Sequence, residues 1–182
     1  MVGKRIYTLV WSVCMKELKG ADYALLFELM KDSHRSDRQL AKVLEISQPT
    51  VTRKRAMLEE HYIDGYTVIP KFGKMGFELI AFTFIKSKFK YERAQKKEEA
   101  IRKMREWYMQ QPNVVLALDG RGMGWDGVCI SFHKSYSDFA DFVRTHDSEL
   151  CELISESQTF HADVNPGLII KPLHLKYLAK TK

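Results

Sequence analysis

Two serines, Ser36 and Ser47, each stand directly before a stretch with helical spacing, and only three residues part the two stretches. In "SDRQLAKVL" Ser36 is followed three residues later by Gln39, the pairing in which a hydroxyl and a side-chain amide satisfy each other's backbone N–H groups. Leu40, Ala41, Val43 and Leu44 then form an apolar stripe. The tripeptide "EIS" leaves room only for a tight turn. Ser47 caps the next helix, which runs to about Glu60 and tolerates Pro49 because first-turn amides have no intrahelical partner. A preceding helix over 21–32 places Ala21, Leu25, Leu26, Leu29 and Met30 on one side. Two short helices joined by about three residues have helix-turn-helix spacing.

The start of the third helix, "SQPTVTRKR", asks why hydroxyls, an amide and cations crowd one helix end. With Val51 at the centre of the buried face, Leu58 and Tyr62 join it. Pro49, Thr50, Arg53 and Ala56 fall on the outer side, with Gln48 and Thr52 at the flanks. Small polar side chains there let a helix axis approach a major groove and reach base edges. The free amides of the first turn add affinity for phosphate. The expected groove contacts are Gln48, Thr50, Thr52 and Arg53, and the expected phosphate contacts are Arg38, Lys42, Ser47 and Lys54. A surface helix that merely carries solvated charge is the plainer alternative. Residues 21–65 hold seven basic and eight acidic side chains, so net charge does not decide. Their distribution favours DNA: the cations gather on helices two and three, and Glu59 and Glu60 lie at the far end.

Beyond the helices, Gly65, Pro70, Gly73 and Gly76 punctuate "IDGYTVIPKFGKMG", which reads as a short strand and a hinge. A strand follows in "FELIAFTFIKSK", then a long charged helix in "YERAQKKEEAIRKMREWYMQQ". "NVVLALDG" and "DGVCISFH" are two strands around a glycine-rich loop. "SYSDFADFVRTH" is a helix with Phe139, Phe142 and Val143 inside, and "ESQTFHAD" is a last strand. The order βαββαβ is ferredoxin-like. The fold class is α+β, a helix-turn-helix domain followed by a ferredoxin-like domain. Residues 1–20 form an N-terminal extension, 21–70 the helical domain with its hinge, and 71–182 the sheet domain. The first strand is apolar on both faces, with Ile80, Phe82 and Phe84 on one and Phe77, Leu79, Ala81 and Ile85 on the other. Helices cover one face of such a sheet, so a second copy is expected on the other. Cover by the N-terminal segment or the C-terminal tail is the alternative.

The 182 residues carry a net charge of +6, which mildly favours an anionic partner. Three cysteines without a CxxC pair fit a reducing, cytoplasmic setting, with Cys129 and Cys151 as small buried hydrophobes. No apolar run approaches the ~20 residues that cross a bilayer, so no membrane partner is expected. Lys4-Arg5 before "IYTLVWSVCM" loosely imitates a signal peptide but lacks a small-residue cleavage site. Either this segment packs on the body or Met15 is the true start.

With these pieces in place, "LAKVLEISQPTVTRKRAMLEEHYIDGY" resembles the winged-type helix-turn-helix of the Lrp/AsnC (feast/famine) transcriptional regulators. The βαββαβ order behind it resembles their effector-binding and oligomerisation domain. The resemblance covers roughly residues 21 to 165. It implies homodimers that assemble further, contact with double-stranded DNA by the third helix, and small effectors, often amino acids. The family's glycine-acidic loop corresponds to "DGRGMGWDGV", with Gly120, Gly122, Gly124 and Asp126 as effector contacts. A tight hairpin served by Asp126 is the alternative. Three departures stand out: Arg55 in place of an aliphatic, its head expected to reach phosphate; His61-Tyr62 where a glycine is usual; and bulky Met123 and Trp125 in the loop.

No catalytic residue, cofactor or metal site is expected. The six histidines have no metal-ligand spacing, and neither a P-loop nor a nucleophile elbow occurs. Two other functions stay open. One is a siroheme decarboxylase-like enzyme of this architecture, for which His133 and Arg121 are the nearest candidates. The other is a ligand-blind architectural DNA-binding protein.

Overall fold

The computed structural model describes residues 18–89 and 94–179. Most of the N-terminal extension, with Met15 and Cys14, lies outside the described residues, as does the expected start of the long charged helix at Tyr91. The described residues divide into two compact units, one made of 18–69 together with 173–179, the other lying within Pro70–Pro172.

The first unit is built from α1 (Gly20–Lys31), α2 (Asp37–Leu44) and α3 (Gln48–His61). Each helix contributes to a single core of Leu25, Leu29, Leu40, Ala41, Val51 and Leu58. Both serine caps form. Ser36 N donates to Gln39 Oε1 at 2.8 Å and Gln39 N donates to Ser36 Oγ at 3.3 Å. Thr50 N donates to Ser47 Oγ at 3.4 Å. Glu45 closes α2 with φ at 54°, the left-handed turn that lets the chain reverse into α3 within three residues. A short segment after Leu173, the 3-10 turn Leu175–Tyr177, lies against α1. The short strand expected near Ile63–Pro70 is not formed; the chain there has neither helix nor strand and leads into a 3-10 turn at Phe72–Met75. A lone extended segment has no neighbour to complete its hydrogen bonds within one chain.

The second unit holds β1 (Leu79–Ser87), α4 (Ala94–Met109), β2 (Val114–Gly122), β3 (Trp125–His133), α5 (Tyr136–Glu149) and β4 (Ile154–Asp163). All strand pairs are antiparallel, in the order β2-β3-β1-β4, which is the ferredoxin-like arrangement expected. One face, with Ala81, Thr83 and Ile85 of β1 and Cys129, Ser131 and His133 of β3, is buried. Trp107 of α4 and Phe142 of α5 pack with Cys129 there. The register places Phe82 between Ile130 and Phe160, and Val128 and Ile130 beside Leu118 and Leu116. These residues form the second face. Phe72 stacks on Phe132 at 4.2 Å and closes one end of it. Elsewhere it stays open, with Leu116, Leu118 and Phe160 42%, 52% and 64% exposed. Cys129 is buried as expected, whereas Cys151, in the turn after α5, is exposed.

Candidate nucleic-acid interface and effector cavity

The N-terminal end of α3 presents the residues singled out from the sequence, in three different states. Gln48 and Arg53 are exposed, as are Arg38 and Lys42 on α2. Among the described residues none of the cations Arg38, Lys42 and Arg53 has an ion-pair partner. Ser47 and Thr50 bind each other, Oγ to Oγ1 at 2.7 Å, and Thr50 is half-buried rather than on the outer side. Thr52 is exposed, but its hydroxyl donates to Asp37 Oδ2 at 2.6 Å.

Lys54 is employed differently from a free phosphate contact. Its ammonium lies 2.5 Å from Asp22 Oδ1 on α1, with only 20% of the side chain exposed against 8% for Asp22. The Lys54 bond, supported by Lys19 N, holds the Asp22 carboxyl below its ordinary range despite burial. Arg55 also departs from expectation. Its guanidinium does not reach outward for phosphate but bonds Asp37 at 3.1 Å, Glu59 at 3.0 Å and the Arg35 carbonyl at 3.3 Å. The Tyr66 ring lies 5.6 Å from it.

The glycine-rich loop of the sheet unit is a two-residue hairpin. Gly122 pairs with Trp125, and Met123 and Gly124 both have positive φ, 51° and 85°. That is the turn whose twist matches antiparallel strands. Gly120 and Gly122 therefore belong to β2 and Asp126 to β3. Asp126 Oδ2 accepts from Ser87 N, at the end of β1, at 3.0 Å. Gly127 was not singled out from the sequence, although a Cβ there would meet the Leu118 carbonyl oxygen at 2.9 Å. Strand pairing at that point thus requires glycine.

Between α4 and the sheet lies a cavity of about 680 Å³. Ile101, Met104 and Tyr108 of α4 line it against Val115 and Ala117 of β2, with Lys97, Arg105, Asp119, Arg121 and Asp126 as its charged members. Of the four expected effector contacts it collects Gly120 and Asp126; Gly122 and Gly124 lie outside it.

The residues named for the enzymatic alternative are not brought together. His133 and Arg121 stand at opposite ends of the β3 hairpin arm, roughly 25 Å apart at the rise of a strand. His133 is fully buried, bonded to Ser131 Oγ at 2.8 Å and Asn113 Nδ2 at 3.3 Å. Burial holds its imidazole below the ordinary 6.5, with Asp138 opposing. The unfolded chain therefore takes up a proton at His133 before the folded chain does. Stability from this group is full above about pH 6.5 and is lost as pH falls below it. Urea unfolding midpoints should decline from about pH 7.5 to about pH 5.5, and His133→Gln should flatten that decline. Equal slopes in the two proteins would place the titration elsewhere.

Among the described residues no group of three His, Cys, Asp or Glu side chains is arranged to hold a metal ion, and no helix is long and apolar enough to cross a membrane. No family model matches the chain. An uncharacterised HTH-type transcriptional regulator of Pyrococcus furiosus is 28% identical over 130 residues, 71% of this chain and 81% of that protein. An AsnC family transcriptional regulator from Agrobacterium tumefaciens superposes with a TM-score of 0.69 at 18% identity, covering 88% of this chain and 99% of that one. A transcriptional regulator from Neisseria meningitidis, solved in complex with L-Met, superposes with a TM-score of 0.67 at 17% identity, covering 80% and 89%. The resemblance carried by the α2–α3 motif and the βαββαβ order is thus borne out, and the chain has the two-part fold of the Lrp/AsnC transcriptional regulators.

Proposed function

We propose that the protein is a sequence-specific, duplex-DNA-binding transcriptional regulator that acts as a homodimer or higher oligomer in the cytoplasm, without catalytic activity. The observation that carries this reading is the exposed N-terminal end of α3, where the side chains of Gln48 and Arg53 have no partner among the described residues and stand beside a capped helix start. Arg53 has the length and donor geometry to reach guanine or phosphate, and Arg38 and Lys42 flank it from α2. Ser47, Thr50 and Thr52 are close at hand; the Thr52 hydroxyl, whose proton goes to Asp37, keeps its acceptor side for the nucleic acid. A dimer would present two such helices to half-sites about one helical turn, or a multiple, apart.

The second part of the reading is a small effector at the cavity that contains Gly120 and Asp126. The L-Met bound by the Neisseria regulator supports an amino acid as its class. An effector could alter DNA binding only through different affinities for two arrangements of the protein, and about 1–3 kcal/mol of coupling gives a 5–150-fold change.

Both parts are read in one titration of labelled genomic fragments recovered by footprinting. Arg53→Ala should weaken binding by about 1–3 kcal/mol if Arg53 reads a base, and affinity should fall steeply with salt. Amino acids added singly should shift the wild-type curve for at least one of the twenty. Binding indifferent to both Arg53 and ionic strength would remove the regulator reading. Normal DNA binding without any amino-acid response would favour the ligand-blind DNA-binding protein instead.

A further inference from the structure

Asp37, the first residue of α2, lies in the crease between that helix start and α3. Its two carboxylate oxygens are divided between two residues of α3 one turn apart. Oδ2 accepts from Thr52 Oγ1 at 2.6 Å, and Oδ1 accepts from Arg55 Nη1 at 3.1 Å. The side chains of Asp37 and Arg55 are each 22% exposed. The Thr52 bond first, and then Arg55, hold the Asp37 carboxyl below its ordinary range, so it is charged at neutral pH.

A helix start attracts anions, and a hydroxyl and a guanidinium beside it complete a natural phosphate cradle. Here an internal carboxylate already fills that role. A phosphate entering the crease meets a fixed negative charge and donors that are taken. Gln48 and Arg53, on the outer part of the same helix, have no such restraint. We propose that Asp37 is a specificity-determining residue, which ties up Thr52 and Arg55 and repels the phosphate backbone so that binding depends on base contacts made by Gln48 and Arg53. This inference rests on the DNA-binding reading.

Two variants of the full chain separate its components. Asp37→Asn removes the charge and keeps one acceptor oxygen, which can serve Arg55 while the amide N–H donates to the Thr52 hydroxyl, whereas Asp37→Ala leaves neither Thr52 nor Arg55 a partner at this position. Affinities are measured by fluorescence anisotropy for a random-sequence duplex and for a duplex selected by the wild type from a random pool, across a salt series. For Asp37→Asn, affinity for the random duplex should rise about five-fold at low salt, and its salt dependence should steepen. Affinity for the selected duplex should rise less, so the ratio between the two falls. Asp37→Ala should move both further in the same direction, and thermal melting by circular dichroism reports whether it folds. If it does not, Asp37→Asn alone decides. An unchanged ratio in Asp37→Asn, or weaker binding to both duplexes, overturns the proposal. Wild-type protein that binds neither duplex removes the DNA-binding reading itself.

Discussion

Phe82→Glu should turn a dimeric or larger protein into a monomer or an aggregate. Phe82 lies in the middle of β1, with Ile130 and Phe160 as its cross-strand neighbours on the sheet face opposite α4 and α5. Phe160, Leu116 and Leu118 leave that face with large exposed apolar side chains. An exposed patch of this kind marks an association surface, and a second copy of the same sheet offers a self-complementary cover. A carboxylate at its centre would be desolvated on association with no cation facing it. Such an unpaired buried charge costs about 3–5 kcal/mol, or roughly two to three and a half orders of magnitude in dissociation constant. Sedimentation velocity of the full chain at micromolar concentration is the direct measurement. A wild type that sediments as a clean monomer would show that the open face is not a dimer contact.

Lys54→Ala should reduce thermal stability far more than DNA affinity. The ion pair with Asp22 joins α1 to α3 across the helical core, and Asp22 is 6% exposed. Removing the cation leaves a buried carboxylate with a single backbone donor, Lys19 N. The expected loss is about 3 kcal/mol, since breaking one side of a buried pair costs more than the pair contributes. Asp22→Asn should recover part of that loss in the Lys54→Ala background, because it removes the stranded charge. Chemical unfolding of the two single variants and the double variant gives the coupling directly. A phosphate-binding Lys54 would show the reverse pattern, with an unchanged midpoint and a shallower salt dependence of DNA binding.

Elements set by local chemistry were legible in the sequence. Ser36 with Gln39, and Ser47 with Pro49, mark helix starts through hydrogen bonds that span three residues, and both helices begin where those marks stand. The βαββαβ order was legible because the apolar period changes at each strand and helix. The partners of the site residues were not. Asp22 and Lys54 are 32 residues apart, and Asp37 and Arg55 are 18 apart, so no periodicity announces either pair. Charge alone made Lys54 and Arg55 look like phosphate contacts, while tertiary structure gives both an internal carboxylate. The choice between an open glycine loop and a tight hairpin was not legible for a different reason. Glycine signals a loop and a strand glycine equally well, and only the pairing of Gly122 with Trp125 distinguishes them. The strand expected near Ile63–Pro70 had suitable side chains but no pairing neighbour among the described residues.

The turn Leu175–Tyr177 returns to α1 after the whole sheet domain, and Ala179 beyond it is buried. In topological terms the sheet domain is inserted into the helical one. A helical unit of this kind cannot be sealed during synthesis until the inserted domain has been made. The entropy of closing so long a loop grows only slowly with its length, and less still when the inserted segment is already compact. Order of folding follows from this: the three helices can collapse on their own core early, but their last surface waits for the sheet.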